Sequence, residues 1–148
     1  MSRVPRRSLP DGYFHVYARG AAGGAVFVDD ADRSVFLATI RLCEKRHAWA
    51  CFAFTLLSTH YHLVLETTRP NLSAGLHRLN GHYARRFNKR HGRFGHVFAE
   101  RFSSRSIETE QYLYDACEYV VLNPVKAGLC DRAEEWPWSY SRFGLSPT

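Results

Sequence analysis

The sequence predicts an α+β protein with a split β-α-β, ferredoxin-like fold, in which an antiparallel sheet carries two helices on one face. Segments with the composition of strands and helices follow one another in the order β-α-β-β-α-β, and one more helical segment comes after them. That order of elements is typical of the split β-α-β arrangement. The 148 residues, of which 45% are hydrophobic, suit one domain spanning residues 1–148 with its own core.

The first half of the chain contains the predicted β-α-β-β unit. Residues 13–19 are rich in aromatic side chains and include the β-branched Val16, which favours a strand. A helix is predicted over 29–46, because apolar side chains recur there at helical spacing and Asp29 can cap its start. Two apolar runs, 48–57 and 61–67, are close enough in sequence to form a β-hairpin.

The second half adds a helix, a strand and a last helix. From residue 71 to about residue 90, apolar side chains step by three and four positions and so share one helix face, with Asn71 or Ser73 as the cap. Residues 97–107 resemble a fourth strand. A last helix is predicted over 108–122, and Asn123-Pro124 is expected to end it because proline cannot continue a helix. The free face of the sheet would take a ligand or this helix.

Charge and hydropathy narrow the class of partner. Twenty Lys and Arg face fourteen Asp and Glu, and this excess of +6 favours a polyanion such as nucleic acid. The sequence has no apolar run of about 18 residues, so we expect no membrane span and no membrane partner. The basic N-terminus lacks the apolar stretch of a signal peptide. The four cysteines match no zinc module, which favours reduced thiols in a cytoplasmic protein.

A pair of histidines is the first candidate for chemistry. Side chains alternate along a strand, so His60 and His62 project from one face of the predicted strand and Tyr61 from the other. Imidazoles about 6 to 7 Å apart along a strand can share one metal ion. The alternative is that both rings are hydrogen-bonded or solvated at the edge of a strand.

A tyrosine in the last predicted helix is the second candidate. Tyr119 lies about 130° from the middle of that helix's apolar stripe, at ~3.6 residues per turn. It lies one turn from Asn123, so the two side chains can point at the same object. The alternative is an amphipathic tyrosine at the rim of the core, with its ring buried and its hydroxyl in water.

Several blocks, in a fixed order along nearly the whole chain, carry a resemblance to a known family. The sequence His60-Tyr61-His62 matches the histidine–hydrophobic–histidine signature of the HUH endonucleases. The other blocks are residues 12–20, 26–33, 95–102, 119–129 and 136–140. Together they resemble the REP-associated tyrosine transposases, in the single-tyrosine branch of that superfamily. In one departure, Leu57-Ser58-Thr59 stands where the family commonly has Met-Pro-Asn, so the turn into the strand is expected to differ.

The resemblance implies an activity and a set of site residues. His60, His62 and Asn123 would ligate a divalent cation, Mg2+ or Mn2+, and Tyr119 would be the nucleophile. Tyr112 and Tyr114 are rivals for that role, but neither has an amide residue four positions on. The implied reaction is cleavage and rejoining of single-stranded or hairpin DNA through a 5'-phosphotyrosine intermediate. The substrates would be folded repetitive palindromes, and the protein a monomer or a homodimer whose tyrosine serves its own or a partner subunit. By ligand chemistry alone, two imidazoles also leave Co2+ and Ni2+ open.

Basic residues with interleaved aromatic residues indicate where DNA would bind. Cations can contact phosphates, and rings can stack on unpaired bases. The candidate cations are Arg85, Arg86, Lys89, Arg93, Arg101 and Arg105, with Arg6 and Arg7 in a basic N-terminal arm over residues 1–10. The alternative is that the helix cations form a solvated face, that the rings belong to the core and that the arm is disordered.

Two other functions compete with the transposase. RNA-recognition domains share the β-α-β-β-α-β order and stack bases on the open sheet face, so a non-catalytic nucleic-acid binder is one alternative. Such a platform needs aromatic residues where His60 and His62 stand. A metal-dependent hydrolase or replication nickase is the other. A hydrolase would release a free 5'-phosphate, whereas the transposase would become covalently attached to DNA.

Overall fold

The computed structural model describes residues 12–99 and 101–145, and it places a five-stranded antiparallel sheet between two helical layers. The elements are β1 (Tyr13–Arg19), α1 (Asp30–His47), β2 (Trp49–Leu56), β3 (His60–Thr67), α2 (Leu72–His91), β4 (Ser103–Ser106), α3 (Glu110–Lys126) and β5 (Ser139–Ser141). The strands lie in the order β4-β1-β3-β2-β5. The predicted α+β class and the ferredoxin-like order of elements are confirmed. The arm over residues 1–10, with Arg6 and Arg7, lies outside the described residues.

Each face of the sheet packs against its own helical layer, as expected from the alternation of side chains along β3. Tyr61 and Leu63 are buried against α1 and α2, together with Phe36 and Tyr83. On the opposite face, Val64 packs against α3. The α3 stripe that meets the sheet consists of Leu113, Ala116, Cys117 and Val120. The face that the sequence left open is therefore covered by the last helix, but only in part.

The start of α2 differs in its hydrogen bonds from the prediction. Asn71 precedes the helix, but its side chain does not cap the helix. Instead its Oδ1 accepts a hydrogen bond from Trp49 Nε1 at 3.0 Å, and its Nδ2 donates to the carbonyl of His47 at 2.9 Å. These bonds tie α2 to the junction of α1 and β2. Gly75 lies so close to the Trp49 ring that a Cβ there would fall 2.1 Å from it.

The predicted strand over 97–107 is wrong in its first half. Val97 and Phe98 turn into the core beneath α1 and α2 instead of continuing the ladder. Phe98 makes a single bridge to Gly20, and regular pairing with β1 is confined to Ser103–Ser106. Two backbone hydrogen bonds flank that bridge, from the Ala21 amide to the Val97 carbonyl at 2.9 Å and from the Ala99 amide to the Arg19 carbonyl at 2.8 Å.

The predicted end of the last helix is also wrong. The helix α3 does not stop at Asn123-Pro124 but continues through Pro124 to Lys126. Proline costs a helix one backbone hydrogen bond, and here Pro124 is buried in compensation. Asn123 therefore lies within regular helix, four residues after Tyr119. The strand β5, which pairs with β2, was not predicted because three residues carry no readable alternation.

Two further predictions concern the cysteines and the absence of membrane-spanning helices. All four cysteines are free, and Cys117 is buried in the core. Within residues 12–99 and 101–145, no helix has the length and apolar character that crossing a bilayer requires.

Candidate active site

An open cavity of about 810 Å³ separates the sheet from part of α3. Strands β1, β3 and β4 form its floor, and α3 forms its wall. The polar and aromatic side chains that line it are His15, Tyr17, His60, His62, Ser103, Arg105, Tyr112, Asp115, Tyr119 and Asn123. The four residues predicted to hold a metal or act as nucleophile therefore come together in one place, within one chain.

His60 links the strand to the helix. Its Nε2 lies 3.3 Å from Asn123 Oδ1, and its Nδ1 lies 3.1 Å from the hydroxyl of Thr59. The turn before β3 is closed by a hydrogen bond from the Leu57 amide to the His60 carbonyl at 3.0 Å. The strand β3 begins directly after Leu57-Ser58-Thr59, and side-chain alternation along it places both histidines on the same face of the sheet.

His62 lies deeper, with 4% of its surface exposed. Its Nδ1 is 3.1 Å from Nε2 of His15, and its ring centroid is 5.3 Å from that of His60. Burial, with the nearby charges of His15 and His60, lowers the pKa of His62 to about 3. Burial also lowers the pKa values of His60 and His15, and Arg105 lowers that of His15 further. At neutral pH the rings are uncharged, which is the form that ligates metals.

Tyr119 stands at the mouth of the cavity. Its side chain is 42% exposed, and its ring centroid lies 5.7 Å from that of His15 and 5.8 Å from that of His62. Lys126 Nζ lies 4.9 Å from the centroid of the same ring. The apolar stripe of α3 faces the sheet, and Tyr119 lies beside that stripe on the helix. Its ring therefore projects into the cavity, next to the imidazoles and within reach of a ligand.

The rival tyrosines occupy different positions. Tyr112 also lines the cavity, two turns before Tyr119. Tyr114 points away and packs against Phe143, with ring centroids 5.1 Å apart. Geometry therefore rules Tyr114 out of this cavity, whereas Tyr112 differs from Tyr119 in having no amide side chain one turn further on.

The donor atoms fit a hard or borderline divalent cation. The 3.3 Å between His60 Nε2 and Asn123 Oδ1 is close to the ~3.0 Å expected between adjacent octahedral ligands at about 2.1 Å. His62 adds a second neutral imidazole beside them. Across the described stretches 12–99 and 101–145, no three His, Cys, Asp or Glu side chains form a metal-binding group by themselves. A metal held here would therefore depend on the Asn123 amide as well as on the histidines.

The candidate DNA-binding cations do not form one surface. Arg105 lines the cavity. Arg85, Arg86 and Lys89 line a separate groove beside α1 and α2, on the other side of the sheet. Arg93 lies over the Phe87 ring at 5.5 Å, and Arg101 is exposed just before β4. The interleaved rings divide similarly: Phe87 and Phe98 belong to the core, Phe102 is half-buried, and Phe94 is 97% exposed.

Other residues of the cavity, among them His15, Tyr17 and Asp115, were not predicted as site residues from the sequence. His15 and Tyr17 share the site because β1 pairs with β3 in a register that sets Tyr17 opposite His62. Asp115 lies one turn before Tyr119 and accepts a hydrogen bond from Gln111. Alternation along residues 13–19 puts His15 and Tyr17 on one face, but only the pairing shows which strand that face adjoins.

Two solved structures described as transposases share this arrangement of strands and helices. A REP-associated tyrosine transposase bound to a REP hairpin superposes with a TM-score of 0.76 at 17% identity, over 99% of this chain and 89% of that one. The chain has that fold. A proposed transposase from Deinococcus radiodurans R1 superposes with a TM-score of 0.55 at 16% identity, over 81% of this chain and 94% of that chain. No family model and no curated protein matches the sequence.

Proposed function

We propose that this chain is a metal-dependent transposase-type enzyme of the REP-associated tyrosine kind, which cuts and rejoins single-stranded or hairpin DNA. The observation that carries the proposal is the meeting of Tyr119 and Asn123, on one helix, with His60 and His62, on the neighbouring strand. The likeness of the fold to a transposase bound to a REP hairpin supports DNA of that kind as the partner. A DNA-processing role also agrees with the net charge of +6.

The reaction is a transesterification that conserves the phosphodiester. The Tyr119 oxygen bonds to phosphorus, the bond from phosphorus to the 3'-oxygen breaks, and the phenol's proton is balanced by one taken up at the leaving 3'-hydroxyl. The 5'-phosphate remains on tyrosine. A 3'-hydroxyl can later attack that phosphorus and release the phenol, which joins strands without ATP.

The side chains of the cavity divide this work. Tyr119 is exposed enough to meet a phosphate, and Arg105 offers a guanidinium for the backbone of the bound strand. His60, His62 and Asn123 would hold Mg2+ or Mn2+. When bound, a divalent cation draws charge from a non-bridging oxygen and so eases attack by an anionic nucleophile.

A denaturing gel tests the proposal directly. The full chain is incubated with a labelled DNA hairpin that has a single-stranded flank, with Mn2+ or with EDTA. We expect a protein-linked DNA band with Mn2+ and none with EDTA. Tight binding without any adduct would support the non-catalytic binder instead. A free 5'-phosphate product without an adduct would support the hydrolase.

A further inference from the structure

His15 lines the proposed site from β1, a strand that supplies neither a proposed metal ligand nor the proposed nucleophile. It lies on β1, opposite Val64 of β3 on one side and Arg105 of β4 on the other. Its Nε2 is 3.1 Å from His62 Nδ1, and its ring also contacts the ring of Tyr119. The half-buried His15 side chain therefore contacts both His62 and the proposed nucleophile, Tyr119.

We propose that His15 is a positioning residue: its Nε2 accepts a hydrogen bond from Nδ1–H of His62 and so directs His62 Nε2 to the cation. This inference rests on the proposed metal-dependent function. It assigns to His15 a role in metal binding without making it a metal ligand.

A neutral imidazole has a limited capacity for hydrogen bonds and metal ligation. A neutral ring has one N–H and one bare nitrogen, so its two nitrogens cannot both donate and cannot both ligate a metal through a lone pair. If His62 Nδ1 carries the proton, Nε2 keeps its lone pair for a cation. If His15 donated instead, the proton of His62 would sit on Nε2 and block that lone pair.

A metal-bound histidine usually gives its second N–H to a carboxylate, a backbone carbonyl or a water. Among the described residues, His62 Nδ1 hydrogen-bonds only to His15. Because His62 is 4% exposed, water has little access to replace that partner. The orientation of the His62 ring is therefore set by His15.

His60 provides an internal comparison. Its Nδ1 faces the hydroxyl of Thr59 at 3.1 Å, but this contact is exposed to solvent. A water molecule can take the place of the Thr59 hydroxyl at little cost. We therefore expect loss of the His15 partner to weaken metal binding much more than loss of the Thr59 partner.

The test measures Mn2+ affinity of the full chain at pH 7.5 by calorimetry or by electron paramagnetic resonance. His15→Phe keeps a ring but removes the acceptor, and His15→Gln places an amide oxygen near the position of Nε2. We expect His15→Phe to raise the Kd for Mn2+ about 10- to 100-fold and His15→Gln to recover most of that loss. Thr59→Val should change the Kd little.

His77→Phe is the matched control, because His77 is exposed on α2, where its ring centroid lies 5.9 Å from that of Phe102. It should bind Mn2+ like the wild type. Adduct formation by His15→Phe should recover at saturating Mn2+, which a general packing defect would not allow. Circular dichroism confirms that each variant is folded.

Two results would overturn the inference: unchanged Mn2+ affinity in His15→Phe, or an equal loss in His15→Gln and His15→Phe. The proposed function fails separately. If the wild type binds Mn2+ but forms no adduct, the enzyme is rejected while the role of His15 is still decided by the affinities. If it binds no Mn2+, the metal site and the role of His15 are both rejected.

Discussion

Strand β3 carries Tyr61 on one face and His62 on the other, and α3 sets a second tyrosine beside His62. Tyr61 is 0% exposed, and its hydroxyl donates a hydrogen bond to Asn80 at 2.6 Å. Burial holds the pKa of Tyr61 well above its ordinary value, so its hydroxyl stays protonated. Tyr119 is 42% exposed and lies beside imidazoles. Tyrosine is thus a core residue on one face of the sheet, as Tyr61, and a candidate nucleophile on the other, as Tyr119.

The difference shows how the fold separates stability from chemistry. The face toward α1 and α2 is closed by aromatic packing that includes Phe36 and Tyr83. The face toward α3 is filled only where the apolar stripe of that helix lies, and the remainder is the open cavity. Substitutions on the two faces should therefore affect different measurements.

The largest expected effect comes from Tyr119→Phe. Without the phenolic oxygen no phosphotyrosine can form, so we expect cleavage and the covalent adduct to disappear while DNA affinity stays nearly unchanged. Gel analysis and fluorescence anisotropy measure the two quantities. Tyr114→Phe is the control, since Tyr114 is similarly exposed on the same helix but faces Phe143. Persistent cleavage by Tyr119→Phe would move the nucleophile elsewhere, with Tyr112 the next candidate because it lines the cavity.

Removal of the metal ligands should be nearly as severe. His60→Ala or His62→Ala is expected to remove metal-dependent cleavage, because each substitution deletes one donor atom next to Asn123 or Tyr119. The same loss should follow when EDTA is added to the wild type. Equal cleavage rates in EDTA and in Mg2+ would contradict the metal-dependent mechanism.

Tyr61→Phe should give the opposite outcome to Tyr119→Phe. Loss of the hydroxyl leaves the Asn80 side chain without its partner, which costs about 1–3 kcal/mol of unfolding free energy. Urea denaturation measures this change. Adduct formation below the melting temperature should be unaffected, and a clear loss of activity in the folded variant would show that the two faces are not independent.

His62 should make the free energy of unfolding depend on pH. In the folded protein the pKa of His62 is about 3, whereas in the unfolded chain it is near 6.5. Between these values the unfolded chain binds the proton and the folded chain does not. The free energy of unfolding should therefore fall as pH drops from 6.5 toward 3, by up to about 1.4 kcal/mol per unit from this residue. Urea unfolding of apo His62→Gln should show a shallower dependence, and identical slopes would refute this account.

The smallest effects are expected from the cations outside the cavity. Arg85→Gln combined with Arg86→Gln, in the groove beside α1 and α2, should weaken DNA binding. The slope of the logarithm of the DNA-binding constant against the logarithm of salt concentration should fall by about one for each lost phosphate contact. Cleavage at saturating DNA should not change. Arg105→Gln, in the cavity, should slow cleavage even at saturation. If the double variant binds DNA with an unchanged salt slope, the far face does not contact the substrate.

Much of the fold could be read from local patterns. Residues 13–19, rich in aromatic side chains, form β1 over the predicted residues, and α1 and α2 begin and end within a residue or two of prediction. The errors arise where distant contacts override a local signal. Pro124 is tolerated within α3 because it is buried, and Phe98 packs in the core with only an isolated bridge to Gly20 in place of a continuous strand.

The candidate site was predictable to the extent that it lies within single elements. His60 and His62 share a strand face, and Tyr119 and Asn123 share a helix face, so spacing alone groups each pair. The meeting of the two pairs followed from resemblance to a family. His15 required the pairing of β1 with β3, which no short pattern encodes. The scattered cations beyond the cavity show that density of charge along a sequence does not define a surface.

Because α3 continues through Pro124, Tyr119 and Asn123 lie on one rigid helix. Their separation is fixed by the rise of a helix, about 6 Å over four residues, and no loop can adjust it. One residue inserted between them would rotate Asn123 by about 100° and carry its amide away from His60. An equal insertion after Gly128, beyond the end of the helix, would leave both side chains in place.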